Sequence, residues 1–424
     1  CATISPESVR CACTSAHSTG NAFIEQLCCE MRDDKPNMRI KATADMKENK
    51  NTILEYDTVS LLPDEDALLI IDQTRLPGSV EQIRLRTAEE IWNAIYLLQV
   101  RGAPAIGVTA ALGIYLLAKK TPLPQEDTAE NYAENYAALL SAFRRQKDYL
   151  DSSRPTAVNL SWALRRMENF LLRYEDAGGL TVRELLEKLR AEAESIREED
   201  IEVCRRIGEY GLSLLRPGDG LLTHCNAGRL AAIRYGTATA PMYLGHERGY
   251  GFHIYCDETR PLLQGARLTA FELAAAGMDV TLECDNMSAS LMKTGKVQAV
   301  FVGCDRVASN GDAANKIGTS LLALAARRYG VPFYVCAPTS TIDMRLSSGA
   351  EIPIEQRKPE EVTEMWYAER MAPEGIAVYN PAFDVTDNDL ITGIVTEYGV
   401  ACAPYTESLR EIFQKKNAQA RAMS

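Results

Sequence analysis

Polar and ionisable side chains follow five short apolar runs in the C-terminal half of the chain. Each run is typical of a buried strand, and in an open parallel α/β sheet ligands bind beyond the carboxyl ends of the strands. A purely structural sheet often carries one or two such residues as helix caps, whereas five in succession favour a binding pocket. The residues are Cys225-Asn226, Asp257-Glu258, Asp285-Asn286, Cys304-Asp305-Arg306 and Thr339-Ser340.

Two of these residues have the chemistry of proton transfer. Asp305 follows the apolar run 299–304, and apolar surroundings raise the pKa of a carboxyl group so that it can donate a proton. The Cys225 thiol can act as a base or can polarise a substrate carbon, and the sequence does not choose between these roles. The structural alternatives are a buried hydrophobic side chain for Cys225 and an ion pair with Arg306 or Arg267 for Asp305.

Three segments have the composition of a small-anion site. Arg101, Gly102 and Ala103 lie directly before a predicted helix whose first turn contains a proline. Backbone N–H groups at this helix start can meet an anion, and the arginine supplies positive charge. The segment 315–319 and Arg154 stand at two other predicted helix starts. Three such segments in a chain of net charge −12 favour a small anionic ligand over a polyanion.

The sequence lacks the motifs of several common cofactor and metal sites. It has no G-x-G-x-x-G after a strand, no G-x-x-x-x-G-K-[ST] and no G-x-S-x-G. It also has no C-x-x-C pair and no His-x-x-x-His, the usual spacings of zinc ligands. Asp257, Asp285 and Asp305 follow separate strands without a clustered motif. We therefore expect neither a cofactor nor a metal.

Composition excludes further classes of protein. The 424 residues are 46% hydrophobic and 25% charged, which is typical of a globular protein. The net charge of −12 argues against a dedicated nucleic-acid binder. The longest apolar run, 107–118, is shorter than the roughly 20 residues of a membrane span and predicts a buried helix. Five of the twelve cysteines lie in the first 29 residues and the others are widely spaced, which fits a reducing, cytoplasmic compartment.

Apolar spacing predicts the elements that must position these residues. The period is helical from 87 to 172, and Thr87-Ala-Glu-Glu90 is a capping sequence. Farther along, short strands alternate with helices, which predicts an α/β fold with a doubly wound parallel sheet. The predicted helices are 130–149, 156–174, 181–215, 268–276, a segment through Met292, and 318–329. The predicted strands are 68–71, 220–225, 253–257, 279–284, 299–304 and 332–337.

The chain divides into three parts. Residues 1–45 lack helical or strand periodicity and have no apolar signal-peptide core, so we expect a disordered extension or a misplaced start site. The clearest later boundary signal is the turn sequence Asp176-Ala-Gly-Gly179. We expect a mostly helical domain over 46–178 and the domain with the parallel sheet over 179–424.

A collinear set of motifs closely resembles the methylthioribose-1-phosphate isomerase family. The match runs over about residues 53 to 415 and leaves the first 45 residues outside. One departure is Cys304, where many members have alanine, but the aspartate that follows is present. The motifs are Arg101–Gly107, Arg154–Asn159, Thr223–Asn226, Glu258–Arg267, Gly303–Arg306, Asn310–Gly318, Pro338–Asp343 and Asn380–Asp384.

The resemblance implies a helical N-terminal domain, a Rossmann-like C-terminal domain and a homodimer. It implies conversion of 5-methylthioribose 1-phosphate into 5-methylthioribulose 1-phosphate in methionine salvage, without a cofactor. By matching motif, Cys225 and Asp305 would be the catalytic pair. The substrate contacts would be Arg101, Gly102, Ala103, Arg154, Gln264, Asn315 and Lys316.

Three other functions fit the same resemblance. Ribose-1,5-bisphosphate isomerase has the same fold and reaction type but needs a second cationic anchor at the C5 end of the sugar. A 5-deoxyribose-1-phosphate isomerase is hardly separable by sequence. Regulatory subunits of the exchange factor for translation initiation belong to the same superfamily and are assembly proteins. The presence of both Cys225 and Asp305 favours an enzyme over such a subunit.

Overall fold

The structure is a computed structural model that describes residues 53–155 and 158–423. The expected extension over residues 1–45 lies outside the described residues, and so do Thr156 and Ala157 of the Arg154–Asn159 motif. All described residues belong to one compact unit. The boundary expected near residue 179 stays a prediction.

The N-terminal part begins with three strands, β1 (Val59–Leu62), β2 (Ala67–Ile71) and β3 (Gln82–Leu85). They form an antiparallel sheet in the order β1-β2-β3. All five residues of β2 are apolar and buried. This strand confirms the one predicted over 68–71.

Five helices follow: α1 (Ala88–Tyr96), α2 (Ala103–Lys119), α3 (Tyr132–Asp151), α4 (Val158–Leu172) and α5 (Val182–Leu212). The second is central, because α2 is apolar on every side, is buried from Ala105 to Ala118 and packs against the other four. The apolar run 107–118 is thus confirmed as a buried helix. Within the described residues, no helix combines the length and apolar character needed to cross a membrane.

Seven strands form the main sheet: β4 (Gly220–Thr223), β5 (His253–Asp257), β6 (Asp279–Glu283), β7 (Ala299–Val302), β10 (Phe333–Cys336), β13 (Gly393–Thr396) and β14 (Gly399–Ala401). Their order is β14-β13-β10-β7-β4-β5-β6. Every neighbouring pair is parallel except β13 and β14. The five predicted strands of this sheet are confirmed, and β13 and β14 have no counterpart in the prediction.

The strand order places the expected site at the centre of the sheet. The chain enters the sheet at β4, adds β5 and β6 on one side, and then adds β7, β10 and β13 on the other. The order therefore reverses between β4 and β7, which is where open α/β sheets bind their ligands. Cys225 follows β4 and Asp305 follows β7. The helices of this region are α6 (Ala240–Glu247), α7 (Ala270–Ala275), α8 (Ser288–Lys293) and α9 (Thr319–Tyr329).

A second, smaller sheet lies outside the prediction. Its strands are β8 (Arg306–Ala308), β9 (Ala313–Lys316), β11 (Ile342–Asp343) and β12 (Phe383–Thr386), in the order β11-β8-β9-β12. Asn315 and Lys316 belong to β9, where they lie opposite Asp384 and Phe383 of β12. The sequence placed these two residues in a helix-starting loop. The last helices are α10 (Glu360–Thr363) and α11 (Tyr405–Met423).

Candidate active site

Cys225 adopts a strained backbone conformation directly after β4. Its φ is +65°, in the left-handed region that residues other than glycine rarely occupy and that clusters at functional sites. Two threonines hold this conformation. The Cys225 N–H donates to the Thr259 hydroxyl at 2.8 Å, and the Thr269 hydroxyl donates to the Cys225 carbonyl at 2.6 Å. The thiol is thereby fixed at the strand end, where it is half-buried.

Asp305 follows the neighbouring strand β7, where solvent reaches the residue although surrounding protein atoms desolvate its carboxyl group. Its backbone N–H donates to the Ala314 carbonyl at 2.9 Å, which ties it to β9. Arg306 lies 3.8 Å from the Asp343 carboxylate, and Arg267 donates to backbone carbonyls. Neither arginine pairs with Asp305, so the structural alternative considered for Asp305 does not hold within the described residues.

The electrostatic surroundings favour the protonated forms of both groups. Desolvation raises the pKa of Asp305 although Lys316, Arg154 and Arg101 oppose the shift. Desolvation also raises the pKa of Cys225 against the opposing charges of Arg101 and Lys316, and the charge of Asp305 adds to this rise. These mutual effects place the five residues in one site. A protonated carboxyl group there can serve as a general acid.

The start of α2 is an open anion site. Gly102 precedes the helix with a φ of +92°, and none of the side chains that the structure describes caps the free N–H groups. A Cβ on Gly102 would lie 2.5 Å from Ala231, so only glycine fits. Arg101 is anchored beside Cys225, because its guanidinium donates to the Asn226 carbonyl at 2.7 Å and to the Asn226 Oδ1 at 3.0 Å. Uncapped N–H groups and a guanidinium together favour a phosphate.

Two further cations face the site without an anionic partner. Among residues 53–155 and 158–423, no side chain hydrogen-bonds or ion-pairs with Arg154, and burial lowers the pKa of its guanidinium. The Lys316 ammonium lies 4.7 Å from the centroid of the Phe383 ring and has no carboxylate partner in the part of the chain described. Both side chains therefore keep their donors for a ligand.

The start of α9 does not provide the anion site that the sequence suggested. The Asp384 carboxylate accepts from the Gly318 N–H at 2.8 Å, from the Ser320 N–H at 3.2 Å and from the Ser320 hydroxyl at 3.1 Å. A carboxylate already occupies this helix end, so a phosphate would be repelled. Asn315 and Lys316 stay predictions as side-chain contacts.

Gln264 has an unused acceptor. Its side chain is buried, and its Oε1 has no partner within the described residues. Leaving a buried oxygen unpaired costs about 1–3 kcal/mol, which a ligand hydroxyl can recover. Gln264 also precedes a π-helical turn, Gly265–Thr269, a feature frequent at functional sites. Its role as a substrate contact stays a prediction.

Sequence analysis did not single out two residues that shape the site. His224 is buried, and its Nε2 lies 2.9 Å from the carbonyl oxygen of Ile317. The only feature of the sequence that pointed to His224 was its position before Cys225. Glu355 has no local signal at all. Its negative charge acts on both Arg154 and Asp305, and it forms a 2.8 Å ion pair with Arg357.

His224, Asp257 and Asp285 bring their ligand atoms within 4.8 Å of one another, as a metal site would. Each of these atoms already has a protein partner. The Asp257 carboxylate accepts from the Ser288 hydroxyl at 2.6 Å and lies 2.9 Å from His224, while Asp285 accepts two backbone N–H groups at 2.7 Å. The cluster is a completed hydrogen-bond network, and these residues do not fit a metal.

Residues 99–403 match the model of the initiation factor 2 subunit family. The chain belongs to that family. It is 61% identical over 362 residues to a methylthioribose-1-phosphate isomerase of Symbiobacterium thermophilum, covering 85% of this chain and 97% of the relative. It is 53% identical to a 5-deoxyribose 1-phosphate isomerase of Petrotoga mobilis, covering 82% and 96%.

Two solved structures share the fold of this chain. The 5-methylthioribose 1-phosphate isomerase of Pyrococcus horikoshii OT3 superposes with a TM-score of 0.78 at 40% identity, covering 85% of this chain and 96% of that one. The subunit delta of translation initiation factor eIF-2B from A. fulgidus has a TM-score of 0.75 at 39% identity, covering 85% and 99%. The resemblance and the Rossmann-like fold class are confirmed.

Proposed function

We propose that this chain is an aldose–ketose isomerase that converts 5-methylthioribose 1-phosphate into 5-methylthioribulose 1-phosphate in methionine salvage. The observation that carries the proposal is the convergence of Cys225 and Asp305 with Arg101, Arg154 and Lys316 at the reversal point of the sheet. The identity of 61% to a relative named for this reaction supports it.

The chemistry of the substrate explains why an acid is needed. Phosphate on the C1 oxygen prevents ring opening by the usual hemiacetal route, so the bond between C1 and the ring oxygen must be broken with help. A protonated Asp305 donates its proton to the ring oxygen as that bond breaks. The chain-opened sugar then moves a hydrogen from C2 to C1, and the C2 hydroxyl loses its proton to become the ketone. Atoms and charge balance, because the product is an isomer.

Two routes for the hydrogen transfer involve Cys225 differently. In one, the thiolate removes a proton from C2 and a proton returns to C1. In the other, the hydrogen crosses as a hydride while the thiol polarises C2. The raised pKa of Cys225 favours the second route, because the thiol stays protonated at neutral pH. Turnover in deuterium oxide separates the routes, since only the first can place solvent deuterium at C1.

The substrate is tested directly by turnover. Purified protein is incubated with 5-methylthioribose 1-phosphate, 5-deoxyribose 1-phosphate and ribose 1,5-bisphosphate, and ketose formation is followed. We expect the highest kcat/KM with the methylthio sugar. The relatives named for 5-deoxyribose 1-phosphate make that compound the second candidate. Absence of ketose from all three sugars would support an assembly subunit instead.

Arg154→Ala is expected to raise KM by roughly ten- to a hundredfold with a smaller change in kcat, because a charged hydrogen bond to phosphate is worth about 1.5–3 kcal/mol. Arg154 is the cleaner choice than Arg101, which also supports the Asn226 loop. Arg145→Ala is the control, since that guanidinium is exposed and donates to Ser141. An unchanged KM in Arg154→Ala would remove this residue from the site.

A homodimer and a cytoplasmic location complete the proposal. Leu321 and Leu324 of α9 are 64% and 53% exposed, and Leu282 on the edge strand β6 is 50% exposed. Exposed apolar side chains on a helix and on an unpaired strand edge favour an interface with a second copy. The seven cysteines within the described residues are all free thiols, which supports a reducing compartment.

Leu324→Glu is expected to shift the protein from dimer to monomer, because a charge buried in an apolar interface is costly. Molar mass is measured by light scattering after size exclusion. Leu97→Glu is the control, since Leu97 is equally exposed, at 55%, at the end of α1. A Leu324→Glu protein that stays dimeric would place the interface elsewhere, and a monomeric wild type would refute the homodimer.

A further inference from the structure

His224 is the buried residue between β4 and Cys225, and both nitrogens of its ring are engaged. The side chain is 1% exposed. Nδ1 lies 2.9 Å from the Asp257 Oδ2, and Nε2 lies 2.9 Å from the Ile317 carbonyl oxygen. A carbonyl only accepts hydrogen bonds, so Nε2 must carry a hydrogen and donate. Although burial opposes a charged ring, the Asp257 carboxylate raises the pKa of His224 and favours the imidazolium, in which Nδ1–H donates to Asp257.

Carboxylates on three elements support this charged form. Asp257 ends β5, Asp285 follows β6, and Asp384 lies on β12. Burial opposes a charged ring, but the charges of Asp257 and Asp285 raise the pKa of His224. Burial raises the pKa of Asp384, and the charge of His224 opposes that rise. Glu283 is the further acidic group, and it faces Asp257. The ring therefore sits among several acidic groups and donates to one of them.

The ring connects the two sides of the site. On one side, the residue after His224 is Cys225. On the other, Nε2 holds the carbonyl of Ile317, the residue after Lys316. Gly318 packs so closely against the ring that a Cβ at this position would lie 2.9 Å from the His224 Cε1. Its φ of +102° also favours glycine.

A buried ion pair is a poor source of stability, because desolvation cancels most of its attraction. Apolar residues of similar volume could fill this space at equal or better stability. The place of the pair at the reversal point of the sheet therefore points to a role in the site.

We propose that His224 is a positioning residue that sets the distance and orientation of the Lys316 ammonium relative to the Cys225 thiol through its bond to Ile317. This inference rests on the proposed function, because Lys316 and Cys225 are the substrate contact and the catalytic thiol in that proposal. Asp257 and Ser288 hold the ring from behind, through the 2.9 Å contact and the 2.6 Å hydroxyl bond.

Two substitutions of His224 test its bond to Asp257 and its bond to Ile317 one at a time. In His224→Asn the amide occupies the Nδ1 position, so the bond to Asp257 can persist while Ile317 loses its donor. In His224→Gln the amide reaches the Nε2 position, so the bond to Ile317 can persist while Asp257 loses its partner. A merely structural role predicts equal losses in the two variants. The positioning role predicts a difference.

We expect His224→Asn to raise KM for the sugar phosphate about tenfold or more, through loss of the charged contact of Lys316, and His224→Gln to stay within about threefold of wild type. Both variants should lose melting temperature. His253→Asn is the matched control, since His253 forms a similar pair with Asp279 and also contacts Thr281, but on the exposed part of β5. Its KM should not change.

Two readouts do not depend on turnover. The chain has four histidines, so the ring nitrogens of His224 can be assigned by nitrogen NMR from the signal missing in His224→Gln. Nε2 should remain protonated between pH 6 and 8, because its partner is a carbonyl that can only accept a hydrogen bond. Affinity for inorganic phosphate, measured by calorimetry, should fall in His224→Asn and persist in His224→Gln.

The outcomes distinguish this inference from the proposed function. Equal KM and equal phosphate affinity in the two His224 variants would overturn the positioning role, and so would an Nε2 that carries no proton between pH 6 and 8. If wild-type protein produces no ketose but the phosphate affinities and the NMR signals behave as expected, the proposed function fails and the positioning of Lys316 by His224 stands.

Discussion

Asp305→Asn is expected to lower turnover by about 10²–10⁴-fold in a protein that remains folded, because this is the usual contribution of a general acid. Asparagine keeps the size and hydrogen bonding of the aspartate but cannot deliver a proton to the ring oxygen. Asp305 forms no side-chain hydrogen bond or ion pair within the described residues, so its replacement should leave no partner unsatisfied. Substrate binding measured by calorimetry should persist.

The pH dependence of kcat/KM tests the same role of Asp305 as a general acid. The pKa of Asp305 is raised, and the protonated form is the acid, so wild-type kcat/KM should fall as the pH rises through this raised pKa. Asp343→Asn is the control, because Asp343 lies on the small sheet beside Asp305 but pairs with Arg345 at 2.8 Å. Near-wild-type turnover in a folded Asp305→Asn protein would refute the mechanism.

Cys225→Ser is expected to lower turnover by about 10²-fold or more, because a hydroxyl is a far poorer base and is less polarisable than a thiol. The volume changes little, and the two threonine bonds that hold the backbone use the N–H and the carbonyl, which serine retains. Binding of the sugar phosphate should therefore persist while chemistry fails. Ketose formation and calorimetry on the same samples measure the two effects.

The neighbouring thiol provides the control for this variant. Cys304 precedes Asp305 and lies 3.3 Å from the Thr341 hydroxyl. Cys304→Ser should keep turnover within a few fold of wild type. If both serine variants retain activity, the thiol of Cys225 takes no part in the reaction.

The local pattern of apolar residues was sufficient for the main framework. Strands such as Ala299–Val302 are short and continuously apolar, and the helix Ala103–Lys119 is apolar throughout, so burial alone predicts them. The cap at Thr87 is equally local: its hydroxyl accepts from the Glu90 N–H at 3.2 Å. The strand ends then pointed to Cys225 and Asp305, because parallel strands end at one edge.

The local pattern of apolar residues did not predict contacts between distant parts of the chain. The small sheet joins β9 to β12, whose residues lie about seventy positions later, and neither strand is long enough to show a period. Because β9 pairs with β12, Asn315 and Lys316 form a strand and not the expected loop. The same pairing places Asp384 at the start of α9, where the sequence predicted an anion site.

The state of each charged side chain was likewise decided by tertiary structure. In the sequence, Arg154, Arg306 and Arg267 are similar cations. In the fold, Arg306 lies near Asp343 and Arg267 donates to backbone carbonyls. Arg154 has no partner among the described residues. It also set a buried His224 between Asp257 and Ile317. The sequence by itself determined the long helices and the central strands of the main sheet, because apolar spacing is read locally. Only the tertiary structure decided which charges meet, because pairing depends on residues that are remote in the chain and close in space.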